Sequence, residues 1–245
     1  MDRDERDPIA AANGADRATT GAPTRRGSSK LRAAVFDLNG TLVDDIRFHY
    51  EAWKALGDRV GFAMNEEIFQ SCNGLKNEDI FPRLLGREVG PAILEALGRE
   101  KEEQYRALYR PHLAPVAGAV QLFARLRERG AKLAVASSAP LDNRTMVIEG
   151  LGWNETFDVV VANEDLRGKP APDIFLAAAE RLGVSPSECL VFEDAVNGIL
   201  AARAAGMTVV GVTTNVSADA LREAGASLTI SDFTALPDDL DALLA

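Results

Sequence analysis

The chain has 245 residues, with 27 basic against 37 acidic side chains, a net charge of −10, 47% hydrophobic and 26% charged residues. These are ordinary values for a globular chain of one compact α/β domain, or one domain with an insert. The acidic balance argues against a nonspecific binder of nucleic acid or of an anionic membrane, because such surfaces need clustered Lys and Arg. A local pocket of opposite sign can still receive a small anionic substrate.

Cys72 and Cys189 have no metal-type spacing and read as free thiols of a reducing compartment. No apolar run reaches the length of a membrane span. Arg25-Arg26 is followed by Gly27-Ser28-Ser29-Lys30 instead of an apolar export segment, so the expected location is cytoplasmic. Residues 1–29 mix Asp, Arg, Ala, Gly, Thr and Ser, with Pro8 and Pro23 as breakers, and read as a disordered tail. Asp2, Asp4, Glu5 and Asp7 within it oppose a mitochondrial targeting role.

The first strand expected covers 31–36 and runs into Asp37-Leu38-Asn39-Gly40-Thr41-Leu42-Val43-Asp44. A carboxylate ending a buried strand is costly unless it has a charged partner or a chemical task. In open α/β sheets that strand end is also where ligands bind. The next stretch, 45–114, has helical periodicity and no convincing strand. Ile46, His49, Trp53 and Leu56 share one face, and further helices are expected over Glu66–Cys72, Asn77–Leu85 and Pro91–Tyr109.

From Pro115 strands and helices alternate. Val116, Val120, Phe123 and Leu126 form an amphipathic face stopped by Gly130, and Lys132–Ser137 reads as a buried strand. A helix over 143–149 and a strand over 157–161 follow. Pro172 opens a helix whose face includes Phe175, Ala178 and Leu182, with Gly183 as its stop. A strand at 189–192, an Ala-rich helix ending at Gly206, and strands at 207–212 and 228–230 complete the series. The alternation implies a parallel sheet with right-handed crossovers, an α/β Rossmann-like core of 30–44 and 115–245. The helical insert of 45–114 then forms a cap above the strand ends.

Four polar clusters fall at strand ends: Asp37 with Asn39-Gly40-Thr41, Ser137-Ser138, Lys169, and Glu193-Asp194. Each alone has a plain structural reading as a cap, a turn or a solvated loop. Together they have a chemical one. Asp37 and Asp194 can jointly hold a hard cation such as Mg²⁺, which prefers oxygen ligands and keeps several waters. The cation, the Lys169 ammonium and the Ser137 hydroxyl match a phosphoryl group, and Asp37 can attack phosphorus as a carboxylate nucleophile. Gly40 allows close backbone approach, and the amide and hydroxyl of Thr41 are candidates to hold a phosphoryl oxygen.

Asp37 to Asp44 resembles the first motif of the haloacid dehalogenase (HAD) superfamily. Val135-Ala136-Ser137-Ser138 resembles the second, Gly168-Lys169-Pro170-Ala171-Pro172-Asp173 the third, and Val191-Phe192-Glu193-Asp194 the fourth. The likeness runs in order from residue 31 to about 214, and the helical cap is similar to that of the subclass of β-phosphoglucomutase and sugar-phosphate phosphatases. It implies Asp37 as nucleophile, Ser137, Ser138 and Lys169 on the phosphoryl group, and Mg²⁺ on Asp37, the Asn39 carbonyl and Asp194 with Glu193 close by. The implied partner is a small phosphorylated molecule, taken by a monomer or weak dimer. Residues 48–54 resemble the first cap helix of the mutases, where the matching histidine faces the substrate; a core histidine is the equally weighted alternative for His49. Where the mutases carry basic gripping residues, this chain has Asn73 and Asn77, with Lys76 as a possible substitute.

Asn39 departs from that pattern. HAD phosphatases and mutases usually have aspartate there to protonate the leaving oxygen and then activate water. An asparagine cannot carry a proton, and general acid–base catalysis typically contributes about 10²- to 10⁴-fold. Three readings stay open. In a slow or specialised hydrolase, His49, Asp44 or water takes over. In the second reading the residue is a substitution that traps an intermediate, and in the third the protein is a phosphate-ligand binder without turnover. A mutase-like transferase is the principal alternative to the hydrolase. Dehalogenation is disfavoured, since Gly40-Thr41 with Glu193-Asp194 suits metal and phosphate.

Overall fold

The computed structural model describes residues 31–72, 75–162 and 165–236. The segment read as a disordered tail lies outside the described residues, as do Asn73 and Gly74. Strand β1 (Ala33–Phe36) is followed by four helices, α1 (Ile46–Val60), α2 (Glu66–Cys72), α3 (Asn77–Leu85) and α4 (Pro91–Tyr109). After them come α5 (Ala119–Glu128), β2 (Lys132–Ser137), α6 (Leu141–Gly150), β3 (Val159–Ala162) and α7 (Asp173–Leu182). The chain continues through β4 (Cys189–Glu193), α8 (Val196–Ala204), β5 (Thr208–Val212), α9 (Ala218–Glu223) and β6 (Leu228–Ile230). Among the described residues no helix is long and apolar enough to cross a membrane.

The six strands pair in the order β3-β2-β1-β4-β5-β6, all parallel. Both sheet faces are therefore covered, as parallel sheets require. In β1 the side chains alternate between layers: Ala34 and Phe36 join the cluster containing Leu122 and Phe123 of α5, and Ala33 and Val35 join Phe175 and Ala178 of α7. The chain leaves β1 on one side toward β2 and β3 and returns on the other at β4. That reversal opens a crevice beyond the carboxyl ends of the central strands, the usual ligand position in such sheets.

The helical layer has its own core of Trp53, Leu56, Phe62, Met64, Phe69, Ile80 and Phe81. The helices α2, α3 and α4 span the expected bounds. One face differs. Val120 is 49% exposed, because α5 begins at Ala119 and turns Leu122, Phe123 and Leu126 inward. Both cysteines are buried free thiols.

Several polar contacts tie the layers together. Asn143 of α6 is fully buried; its Nδ2 donates to Glu102 of α4 at 2.7 Å, and its Oδ1 accepts from Arg106 at 2.8 Å. Gln70 of α2 donates to Asn215, beyond β5, at 3.0 Å. Glu102 is itself 5% exposed and also accepts from Lys101 at 2.7 Å and Asn77 at 2.8 Å. Burial opposes its ionisation, but Lys101 and then His49 outweigh burial and, with the hydrogen bonds from Lys101 and Asn77, hold the carboxyl down at about 2.

Two outcomes follow from this packing. Phe36 stacks on Phe192 at 4.9 Å and meets Phe123 edge-on at 5.3 Å, so Phe36→Ala should cost about 3–5 kcal/mol in urea unfolding. A loss below about 1 kcal/mol would contradict this packing account. For Glu102 the folded carboxyl is the more acidic one, so its contribution is present above the ordinary carboxylate range and fades as pH falls toward about 2. The stability gap between the wild type and Glu102→Gln should accordingly be widest above pH about 5 and narrow on acidification.

Candidate active site

Three neighbouring strands deliver the site. β1 runs directly into Asp37, β2 ends in Ser137, and β4 ends in Glu193 followed by Asp194. The register pairs Phe36 with Val135 on one side and Phe192 on the other, so the next residues of all three strands reach one edge. Lys169 arrives from the loop between β3 and α7. Its Nζ donates to Asp37 Oδ1 at 2.6 Å and to Glu193 Oε1 at 2.5 Å, and lies 5.2 Å above the Phe175 ring.

Asp37, Lys169, Glu193 and Asp194 are each no more than 7% exposed. When ionised, three carboxylates face one ammonium, which leaves an excess of two negative charges. Burial, reinforced by Glu193 and opposed by Lys169, pushes Asp37 up to about 7. Burial, then Glu193 and Asp37, raises Asp194 well above the carboxylate range. Burial disfavours the charged Lys169, yet Asp37 and Glu193 hold it protonated.

The donor set fits a divalent cation in a particular way. Among the described residues no three His, Cys, Asp or Glu side chains gather as a ready metal cage. Mg²⁺ seldom needs one: it is commonly bound by one or two carboxylates with water and substrate phosphate completing the shell. Asp37 and Asp194 supply two carboxylates, whose ionisation burial and the neighbouring carboxylates both oppose and a cation would favour. Glu193 is differently engaged. Its Oε1 accepts from Lys169, and its Oε2 accepts from Ala195 N at 2.8 Å. A Cβ at Gly198 would fall inside that carboxylate, so α8 needs glycine there.

The Thr41 hydroxyl has a partner within the chain. The residue is fully buried, and its hydroxyl donates to Asp194 Oδ1 at 2.9 Å, so it positions a carboxylate. Asn215 holds the other Asp194 oxygen at 3.1 Å. Gly40 adopts φ +78°, and a Cβ there would strike the same carboxylate. Its N–H donates to Asp45 Oδ1 at 3.0 Å and to Val43 O at 2.8 Å. Ser137 is buried and its Oγ accepts from Ala139 N at 3.1 Å.

A cavity of about 340 Å³ joins these groups to the helical layer. Asp37, Asn39, Ser137, Ser138, Lys169, Glu193 and Asp194 line its floor; His49, Lys76, Asn77 and Lys101 line the opposite wall beside apolar Ile46, Trp53, Met64 and Phe69. His49 thus faces the site. It stacks on Tyr105 with centroids 3.6 Å apart, and its Nδ1 lies 3.2 Å from Lys101 Nζ. Lysine has donors only, so Nδ1 accepts and Nε2 carries the proton. Burial, then Lys101, lowers His49 to about 3, so the ring is neutral. Lys76 is paired with Glu78 at 3.7 Å.

Asn39 is half-buried and donates from Nδ2 to Asp45 Oδ2 and, at 3.2 Å, to Tyr105 OH. The Tyr105 hydroxyl also donates to Asp45. Asp44, named from sequence as a possible acid/base, is exposed, while its neighbour Asp45 is fully buried. Sequence reasoning missed Asp45, Tyr105, Lys101, Glu102 and Asn215. The one available signal was a second acid directly after Asp44.

Comparison with known proteins shows the family. Residues 31–206 match the family model described as haloacid dehalogenase-like hydrolase. The validoxylamine A 7'-phosphate phosphatase of Streptomyces hygroscopicus subsp. limoneus is 34% identical, over 79% of this chain and 91% of that protein. The fructose-1-phosphate phosphatase of Escherichia coli is 35% identical over 73% of this chain and 94% of its own length. β-Phosphoglucomutase of Bacillus subtilis is 31% identical over 74% and 83%. The solved structure of a family IA, variant 3 HAD hydrolase from Entamoeba histolytica superposes with a TM-score of 0.78 at 32% identity, covering 87% of this chain and 99% of the other. Sheet order, site and relatives converge: the chain belongs to the haloacid dehalogenase-like hydrolases, among their sugar-phosphatase and β-phosphoglucomutase relatives.

Proposed function

We propose that the protein is a phosphatase of small phosphomonoesters, with a sugar phosphate as substrate class, acting through an aspartyl-phosphate on Asp37. The observation that carries this reading is the Lys169 bridge. It holds Asp37 at 2.6 Å in a buried, cavity-lining position, with Ser137 and Ser138 on the same floor.

In the first step an Asp37 carboxylate oxygen attacks phosphorus, the P–O bond to the sugar breaks, and the leaving oxygen takes a proton from solvent. In the second, water attacks phosphorus, the P–O bond to Asp37 breaks and the carboxylate is restored; phosphate leaves with the water's oxygen and one of its protons, and the other proton passes to solvent. Lys169 and Ser137 supply a fixed cation and a hydroxyl where phosphoryl charge builds. Mg²⁺, which Asp37, Asp194 and the backbone carbonyl of Asn39 would hold, would supply charge neutralisation at the phosphoryl oxygens. Thr41 and Asn215 hold Asp194 in place, and Glu193 holds Lys169 and adds its charge behind the pair. The helical wall with Lys76, Asn77, Lys101 and Trp53 is polar on one side and apolar on the other, which suits a sugar ring and its hydroxyls. The phosphatase relatives named above support hydrolysis, and the mutase relative keeps phosphoryl return to a second hydroxyl as the alternative.

Phosphate release from a panel of hexose and pentose phosphates tests the reading. Release should require Mg²⁺, stop on chelation, and fall to background in Asp37→Asn. Undiminished turnover in Asp37→Asn would remove the nucleophile assignment. With β-glucose 1-phosphate, free phosphate marks the phosphatase and glucose 6-phosphate the mutase. Mg²⁺ at 100 times its Kd should also raise folding stability by about 2.7 kcal/mol, measurable without substrate.

A further inference from the structure

We propose that Asp45 is a positioning residue for Asn39, fixing its amide so that the carbonyl oxygen faces the phosphoryl site as a hydrogen-bond acceptor for the attacking water. The role rests on the phosphatase reading above and extends it to a residue outside the four motifs.

The assignment follows from counting donors. An ionised carboxylate accepts only, and Asp45 receives the Gly40 N–H, the Tyr105 hydroxyl and the Asn39 amide. The Asn39 nitrogen has two hydrogens; one meets Asp45 and the other Tyr105. His49 Nε2, 3.4 Å away, carries a proton and so offers this nitrogen no acceptor. The side of Asn39 turned toward Asp45 and Tyr105 is therefore its nitrogen, and a reversed amide would set oxygen against the Asp45 carboxylate. What remains for the cavity that Asn39 lines is the carbonyl oxygen. That atom can accept a hydrogen bond from water and aim it at phosphorus, but it cannot take the proton.

Two consequences distinguish this pair from an isolated substitution. Residues 39 and 45 must be complementary, one amide and one carboxylate. Aspartate at 39 alone would place two carboxylates in hydrogen-bond contact in a buried site, which is a costly arrangement. The lock also spans the layers, because Asp45 directly precedes α1 and Tyr105 belongs to α4. Docking of α4 over the core thereby completes the orientation of a residue on the site floor.

A double-variant cycle tests this with two readouts. In ¹H–¹⁵N spectra the Asn39 NH₂ pair, assigned by its loss in Asn39→Ala, should be shifted and slow to exchange with water in the wild type. It should move to ordinary free-amide positions in Asp45→Asn. Kinetically, Asp45→Asn should lower kcat at least tenfold with KM within twofold, and Asn39→Asp alone should bring no gain. The exchanged pair, Asn39→Asp with Asp45→Asn, should exceed both single variants at least tenfold. Should Asp45→Asn fail to fold, Tyr105→Phe keeps the ring on His49 and removes only the hydroxyl; it should perturb the same amide signals and lower kcat in the same direction. Unchanged amide signals in the folded variants, or an exchanged pair no better than the poorer single variant, would overturn the proposal. A wild type that releases no phosphate from the panel sinks the phosphatase reading instead, and the amide spectra still decide the pairing.

Discussion

The structure depends on one electrostatic constraint: three carboxyls at the ends of β1 and β4 buried together with a single ammonium from the loop before α7. Removing charges from water is costly, and mutual attraction offsets the cost only when the geometry is good and the remaining lone pairs are satisfied. Here nearly every oxygen has a donor. Lys169 serves Asp37 and Glu193, Ala195 N serves Glu193, and Thr41 and Asn215 serve Asp194. Burial first, and then the excess negative charge that persists, raises Asp37 and Asp194, and a divalent cation would offset that charge. The glycines at 40 and 198 belong to the same constraint, since any larger residue would displace one of these carboxylates.

A second polar system links the helical layer to this floor. Asn39, Asp45 and Tyr105 form one end; His49, Lys101, Glu102, Asn77 and Asn143 form the other, with the His49–Tyr105 stack between them. Buried polar networks of this kind specify one arrangement when every member is satisfied. The cavity wall on the helical layer and Asn39, two residues beyond Asp37, are therefore held by the same contacts. Asn39 is thus part of a matched set and not an isolated loss from a motif.

Much of the fold was legible because its signals are local. Helical spacing marked Glu66–Cys72, Asn77–Leu85 and Pro91–Tyr109, and apolar runs ending in acids or hydroxyls marked β1, β2 and β4. Where expectation and structure part, a distant contact is responsible. Val120 looked inward by periodicity, but Gly118, at φ +82° and pressed against the backbone of Phe233, sets where α5 begins and how it is turned. The six-residue α9 is too short for periodicity to show; it starts where Ser217 caps it. Thr41 could be read as a phosphate donor from its place in the motif; only the approach of Asp194, 153 positions away, claims its hydroxyl.

By itself the sequence determined the parallel α/β core, the inserted helices, and the identities of Asp37, Ser137, Lys169, Glu193 and Asp194 as the polar ends of buried strands and their loops. Those features follow from periodicity and from the cost of placing charge at an apolar strand end, which neighbouring residues reveal. The tertiary structure alone decided which of two adjacent acids meets Asn39, that His49 faces the cavity, and that Glu193 is spent on Lys169 and the chain. These are distances between side chains carried on separate elements, and packing sets such distances only when the helices dock on the sheet.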